Sequence, residues 1–189
     1  GDSAFLLQRE VILQRFLGYD YVLGQPVGVA MPTHRLVAED TADLTRSGGR
    51  SFMEEHRGPI KGKKVVWLGD GNNMANSWIQ AAAVLGFPLT LACPEGYEPD
   101  AGVLEAARAA ASLPITLLRD PAEAVRDVDV INIDVWASMG QESEQKQRLA
   151  IFRPYQLNAD LLAKAASNAA VLHCLPAHRG EEITEEVLE

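Results

Sequence analysis

Residues 65–78 read "VVWLGDGNNMANSW". The apolar run Val65, Val66, Trp67, Leu68 has no polar break, the pattern of a strand buried on both faces. It stops at Gly69-Asp70-Gly71, and two asparagines follow. "NMANSWIQAAAVLG" then reads as a helix closed by Gly86. A glycine-rich turn between strand and helix has three readings at this point. It can be a nucleotide site, a site for a small polar metabolite, or a plain tight turn.

The pattern repeats outward from this stretch. "PLTLACP" is a second strand and "PDAGVLEAARAAAS" a second helix, with Pro99 and Asp100 at its start. "PITLLRD" is a third strand, followed by the short helix "DPAEAVRDV" with Asp120 as N-cap. "DVINIDVW" is a fourth strand, "QESEQKQRLAIF" and "LNADLLAKAA" are helical, and "AAVLHCLP" is a fifth strand. "GEEITEEVLE" begins one more helix. Strands alternating with helices imply βαβ units. The expected fold is α/β, a three-layer Rossmann-like domain with a parallel sheet of about five strands flanked by helices. Ligands of such sheets bind outside the carboxyl ends of the strands. Those ends are "GDGNN", "CPEGYEP", "RDP", "DVWASMG" and "HCLPAHRGEE".

Residues 1–57 read differently. An amphipathic helix pattern, with apolar positions from Phe5 to Leu17, precedes an extended stretch broken by Gly24, Pro26 and Gly28. The expected organisation is a helical or irregular segment over 1–57 and the Rossmann-like domain over 58–189.

Composition narrows the function classes. The chain has 189 residues, 47% hydrophobic and 23% charged, which is globular composition. A net charge of -9 disfavours nucleic acid and anionic membrane as partners, because the average surface repels phosphate. Cys93 and Cys174 are the only cysteines, too few for a disulfide framework, and a reducing, cytoplasmic setting is expected. No apolar run approaches the roughly 20 residues of a membrane helix. The opening residues lack the basic start and apolar core of a secretory signal.

The strand ends carry the candidate chemistry. As a dinucleotide fingerprint "GDGNNM" fails at its third glycine, where Met74 stands, and Cys93-Pro94 replaces the acidic ribose partner. The amides of Asn72 and Asn73, at a helix N-terminus, suit a ligand bearing a carboxylate or a zwitterion. A glycine turn with asparagine capping explains them equally well. Asp134 ends the fourth strand, where a carboxylate can bind an ammonium group or merely cap a loop. Ser138 and Met139 follow on that loop. His173 and Cys174 are adjacent on a strand and point to opposite faces, so they do not form a nucleophile–base pair. Histidines and cysteines are too scattered for a zinc site. Cys174 reads as a thiol lining the cleft, with an inert buried cysteine as the alternative.

Taken together, "WLGDGNNMANSW", "ACPEGYEP", "DVWASMGQE" and "HCLPAHRGEEI" closely resemble the ornithine carbamoyltransferases, in order and spacing. The likeness covers 55–189 and centres on that family's C-terminal, ornithine-binding domain. It implies transfer of a carbamoyl group from carbamoyl phosphate to L-ornithine, giving citrulline and phosphate in arginine biosynthesis, with no metal or organic cofactor. It implies that Asn72 and Asn73 contact the amino-acid end of ornithine. Asp134 would receive its ammonium group, and Ser138 and Met139 would close on it. Cys174 would lie beside the reacting amine, and Leu175 would turn its backbone to the carbamoyl group. The family's phosphate-binding "STRTR" run has no match here, His34 does not align with its "HPxQ" element, and its later arginine segment is not in the chain. The chain is therefore expected to lack the carbamoyl phosphate half of the site and to form little or no citrulline. A non-catalytic ornithine-binding domain and a rearranged scaffold without activity are the alternatives. The family is usually trimeric, and apolar surface left by its first domain leaves room for homo-oligomers.

Overall fold

A computed structural model of the chain describes residues 58–137 and 145–188. The expectations for residues 1–57, for Ser138 and for Met139 fall outside the described residues. The sheet lies in a compact unit that runs from Lys61 to Glu189.

Five strands form one all-parallel sheet. They are β1 (Val65–Leu68), β2 (Leu89–Ala92), β3 (Ile115–Leu118), β4 (Val130–Ile133) and β5 (Ala170–His173), in the order β3-β2-β1-β4-β5. The chain moves outward from β1 to β3, then crosses back to place β4 on the other side of β1. That reversal creates a topological switch point between β1 and β4, where open sheets hold their ligands. The sequence pattern explains the placement. β1 and β4 are buried at every residue and central, whereas β3 and β5 are edge strands with partial exposure.

The register is level. Leu68 pairs with Ala92 and Ile133, Ala92 with Leu118, and Ile133 with His173. All five strands end in one row, so the first residues beyond them, among them Gly69, Cys93, Asp134 and Cys174, start from a common edge. Val66, Leu68, Ile131 and Ile133 share one face, in a cluster with Val125, Val128, Tyr155, Leu157, Leu161 and Ile183.

The helices follow the expected order: α1 (Asn73–Leu85), α2 (Ala101–Ala110), α3 (Pro121–Ala124), α4 (Gln145–Phe152), a 3-10 turn (Arg153–Tyr155), α5 (Ala159–Leu162) and α6 (Glu185–Leu188). Gly86 closes α1 in the left-handed conformation, and Asp100 and Asp120 cap α2 and α3. Two helices are shorter than the pattern suggests. After α5 the chain leaves the helical path because its backbone groups bond elsewhere. Lys164 O accepts from Asp127 N–H at 3.0 Å, and Ala166 N–H donates to Val128 O at 3.1 Å. Before α6, Leu157 N–H donates to Glu182 O at 2.8 Å and Thr184 N–H to Leu157 O at 3.0 Å, which holds that stretch extended.

Each glycine of the opening turn has its own reason. Gly69 has φ 130, a conformation that side chains rarely adopt. Gly71 is required by space. A Cβ there would lie 2.1 Å from Pro99 N and 2.2 Å from Glu98 C, because the loop after β2 crosses directly over it. Gly71 N–H donates to Tyr97 O across this contact at 2.9 Å. Gly71→Ala therefore forces two backbones apart and should lower stability by about 1–3 kcal/mol or more in chemical denaturation. An alanine variant as stable as the parent would show that this crossing is not tight.

Candidate functional site

The turn after β1 delivers Asn72 to the N-terminus of α1 as its cap. Its Oδ1 accepts from Met74 N–H at 2.9 Å and from Ala75 N–H at 3.1 Å. The amide has two ends, and its nitrogen is used as well. Asn72 Nδ2 donates to Asp134 Oδ2 at 3.0 Å. One side chain thus caps the helix and bridges the switch point from β1 to β4. Asn73 is exposed at the first position of α1, and its backbone oxygen accepts from Ser77 Oγ at 3.0 Å.

Asp134 is half-buried beyond β4. Its Oδ1 accepts from Val135 N–H at 2.9 Å. An ionised carboxylate offers about four acceptor sites, so two remain for an incoming donor. Both of its present donors are neutral, and its negative charge has no salt-bridge partner among the described residues.

Cys174 is half-buried beyond β5, with its Sγ 3.8 Å from the amide of Asn132. That amide is turned so that its oxygen accepts from Ile133 N–H and Trp78 Nε1–H, both at 3.2 Å. Burial pushes the Cys174 thiol up to about 12, and the charge of Asp134 adds to the effect. At neutral pH the group is a thiol, a weak hydrogen-bonding partner rather than a base or a nucleophile. Cys93, fully buried beyond β2, is likewise raised to about 12 by burial and is free. His173 and Cys174 do point apart, as strand alternation requires. The His173 ring meets Glu182, and Leu175 follows exposed with φ 44.

The sequence reading missed the residue that ties these loops together. Arg148 of α4 is buried, and its guanidinium forms a salt bridge with Asp70 of the opening turn. Its Nε donates to Trp136 O at 2.5 Å, just beyond Asp134, and its Cζ lies 4.8 Å from the Tyr97 ring centroid and 5.2 Å from that of Phe152. The loops after β1, β2 and β4 meet on this one cation. The available signal is its spacing: Arg148 and Phe152 share a helix face, so a charge stands on the side that packs inward. Among the described residues, one group has the donor set for a cation. The ligand atoms of His178, Glu181 and Glu182 lie within 4.8 Å of one another. Glu182 Oε2, buried, accepts no hydrogen bond.

Residues 61–189 match the family model of the aspartate/ornithine carbamoyltransferase Asp/Orn binding domain. The chain belongs to this family. It is 70% identical over 135 residues to an ornithine carbamoyltransferase of Desulfotalea psychrophila, covering 71% of this chain and 45% of that protein. It is 56% identical over 191 residues to the anabolic ornithine carbamoyltransferase of Pseudomonas aeruginosa, covering 100% of this chain and 61% of that protein. The latter alignment takes in residues 1–57, which the sequence reading could not place. Among solved structures, the ornithine carbamoyltransferase of Pyrococcus furiosus superposes with a TM-score of 0.69 at 51% identity, covering 72% of this chain and 45% of that one. The chain thus spans only about half the length of these relatives. No helix among its described residues is long and apolar enough to cross a membrane.

Burial holds the Asp70 carboxyl above its ordinary value, outweighing Arg148 beside it, with Asp134 adding a smaller push in the same direction. Removing Arg148 takes away the lowering partner and raises the group further. A carboxyl raised in the folded state contributes stability at low pH that is lost as pH rises through its folded value. Arg148→Met should therefore cost about 1–3 kcal/mol at neutral pH, because it leaves the half-buried Asp70 carboxylate and the Trp136 carbonyl without their donor. The deficit should shrink as pH falls from about 7 to about 4. Denaturant titrations at both pH values test this, and a deficit independent of pH would mean that Asp70 does not sense Arg148.

Proposed function

We propose that this chain contributes the ornithine-binding half of an ornithine carbamoyltransferase, and that the phosphate of carbamoyl phosphate is held by residues outside the unit 61–189. The observation that carries this reading is the Asn72–Asp134 hydrogen bond across the switch point, with Cys174 one strand further along the same row. The bond fixes a carboxylate that has no cationic partner among the described residues, which suits an ammonium group. In this reading Asn73, exposed at the start of α1, meets the carboxylate of the same amino acid, aided by the helix N-terminus. The family resemblance assigns Ser138 and Met139 contacts to ornithine.

In the full reaction the neutral amine of ornithine attacks the carbamoyl carbon and forms the new C–N bond. The bond to the phosphate oxygen breaks, and the amine proton leaves with phosphate. Asp134 orients the amino acid by holding its ammonium group. Cys174, a thiol at neutral pH, lines the approach of the amine as a neutral group. Leu175 presents backbone to the carbamoyl group. The relatives' names support the transferase reading, and a cytoplasmic setting fits two free cysteines. Without preorganised cations for the leaving phosphate, catalysis loses orders of magnitude.

Calorimetric titration of the 189-residue chain with L-ornithine should give a saturable heat, and L-aspartate should give none. Asp134→Asn should weaken ornithine binding roughly tenfold to a hundredfold, as expected for a charge-assisted bond. Ornithine and aspartate indistinguishable in this assay would overturn the reading. Citrulline formation by the chain alone should be negligible. Turnover within the usual enzyme range of roughly 1–1,000 per second would show that the phosphate half is present after all.

A further inference from the structure

The turn that carries Cys174 and Leu175 has an unusual support. Leu175 has φ 44, a left-handed conformation that a branched side chain adopts only when its surroundings demand it. Its backbone N–H donates to Nδ1 of His173 at 2.8 Å. A ring nitrogen that accepts a hydrogen bond carries no proton, so the proton of the neutral ring lies on Nε2. Nε2 in turn lies 2.9 Å from Glu182 Oε1, and the two side chains are 6% and 1% exposed. Both ring nitrogens are thus committed, and the tautomer is fixed from both sides.

Glu182 is itself anchored. Its Oε1 also accepts from His178 N–H at 2.6 Å, and its backbone oxygen accepts from Leu157 N–H at 2.8 Å. Gln156 Nε2 donates to Gly180 O at 2.8 Å and Glu181 O at 2.6 Å, pinning the turn just before it. A continuous path of hydrogen bonds therefore runs from residues 156 and 157 through Glu182 and His173 to the backbone of Leu175.

We propose that His173 and Glu182 are positioning residues: as a neutral imidazole–carboxylate pair they hold the Cys174–Leu175 backbone in the conformation that faces the substrate. The substrate part of this statement rests on the ornithine carbamoyltransferase reading above; the pair itself does not. Both ring nitrogens of His173 are committed and the Glu182 side chain is 1% exposed, so the pair acts through the turn. Substitutions separate its two bonds. His173→Asn keeps an acceptor where Nδ1 stood but is too short to reach Glu182. His173→Gln keeps a donor near Nε2 but offers Leu175 no acceptor. Glu182→Ala leaves the ring in place and removes its anchor.

The test uses the 189-residue chain labelled with nitrogen-15. Imidazole spectra at neutral pH should show His173 with a proton on Nε2 and none on Nδ1. Leu175 amide exchange should be protected in the parent and in His173→Asn. It should speed up roughly tenfold in His173→Gln, the size expected for one lost hydrogen bond. Glu182→Ala should let the His173 ring populate both tautomers. A proton on Nδ1 in the parent, or equal protection in the Asn and Gln variants, would overturn the proposal. If Glu182→Ala does not fold, the Asn and Gln pair still decides the matter. In parallel, His173→Gln should weaken ornithine binding, and His173→Asn should recover most of it. Failure of the parent to bind ornithine removes the functional reading and leaves the tautomer and exchange results to judge the pair.

Discussion

The Arg148 guanidinium sits where three strand-end loops meet, and each loop needs it for a different reason. The turn after β1 brings Asp70, a carboxylate that burial makes expensive without a cation. The loop after β2 brings the face of Tyr97, which attracts a cation through its quadrupole. The loop after β4 brings the carbonyl of Trp136, an acceptor that would be costly to bury unpaired. Lysine cannot replace this arrangement, because a compact ammonium lacks the planar fork that reaches a carboxylate and a carbonyl at once. The consequence for the site is geometric. Asn72 lies two residues beyond Asp70 and Asp134 two residues before Trp136, so the anchored loops carry the two ends of the Asn72–Asp134 bond.

The same cation sorts the two aspartates at the switch point. Asp134 is close enough for its charge to act on Asp70. Asp70 meets Arg148 directly, whereas Asp134 is held by two neutral donors. Asp70 is thereby committed to the fold, whereas Asp134 forms no salt bridge among the described residues. A chain with net charge -9 gains nothing from a further buried carboxylate unless something positive is to meet it.

Much of this was legible in the sequence, for identifiable reasons. The unbroken runs at 65–68 and 130–133 identify central strands because a strand covered on both faces tolerates no polar residue, and Asn132 is the exception that meets Trp78 and lies near Cys174. Gly86, Asp100 and Asp120 are read as caps because capping is local chemistry. Asn72 caps α1 through its oxygen and meets Asp134 through its nitrogen, since an amide has an acceptor end and a donor end. What could not be read depends on tertiary partners. Gly71 is glycine because of Pro99 and Glu98, nearly thirty positions away in "GYEP". Arg148 looks like an ordinary surface residue until Asp70 arrives from across the sheet. The partner of His173, Glu182, is brought to it by a loop whose path the sequence does not display.

The level row of strand ends sets the scale of the ligand. Neighbouring strands lie about 4.7–4.9 Å apart, so the distance from the end of β1 to that of β5, with β4 between them, is about 10 Å. Asn72 and Asp134 occupy the first of these intervals and Cys174 the far end of the second. A single functional group cannot address all three positions; a linear molecule with polar ends can. The order of chemistry along the row is amide, carboxylate, then neutral thiol. On the proposed ornithine reading, a zwitterionic head meets the first two and its chain runs toward the third. There a thiol that burial keeps protonated adds no charge to repel or trap an amine, and the His173-supported turn fixes the backbone beside it. The sheet therefore does more than hold the residues: its strand spacing sets a length, and the different anchoring of each loop sets which chemical group is met at each step along it.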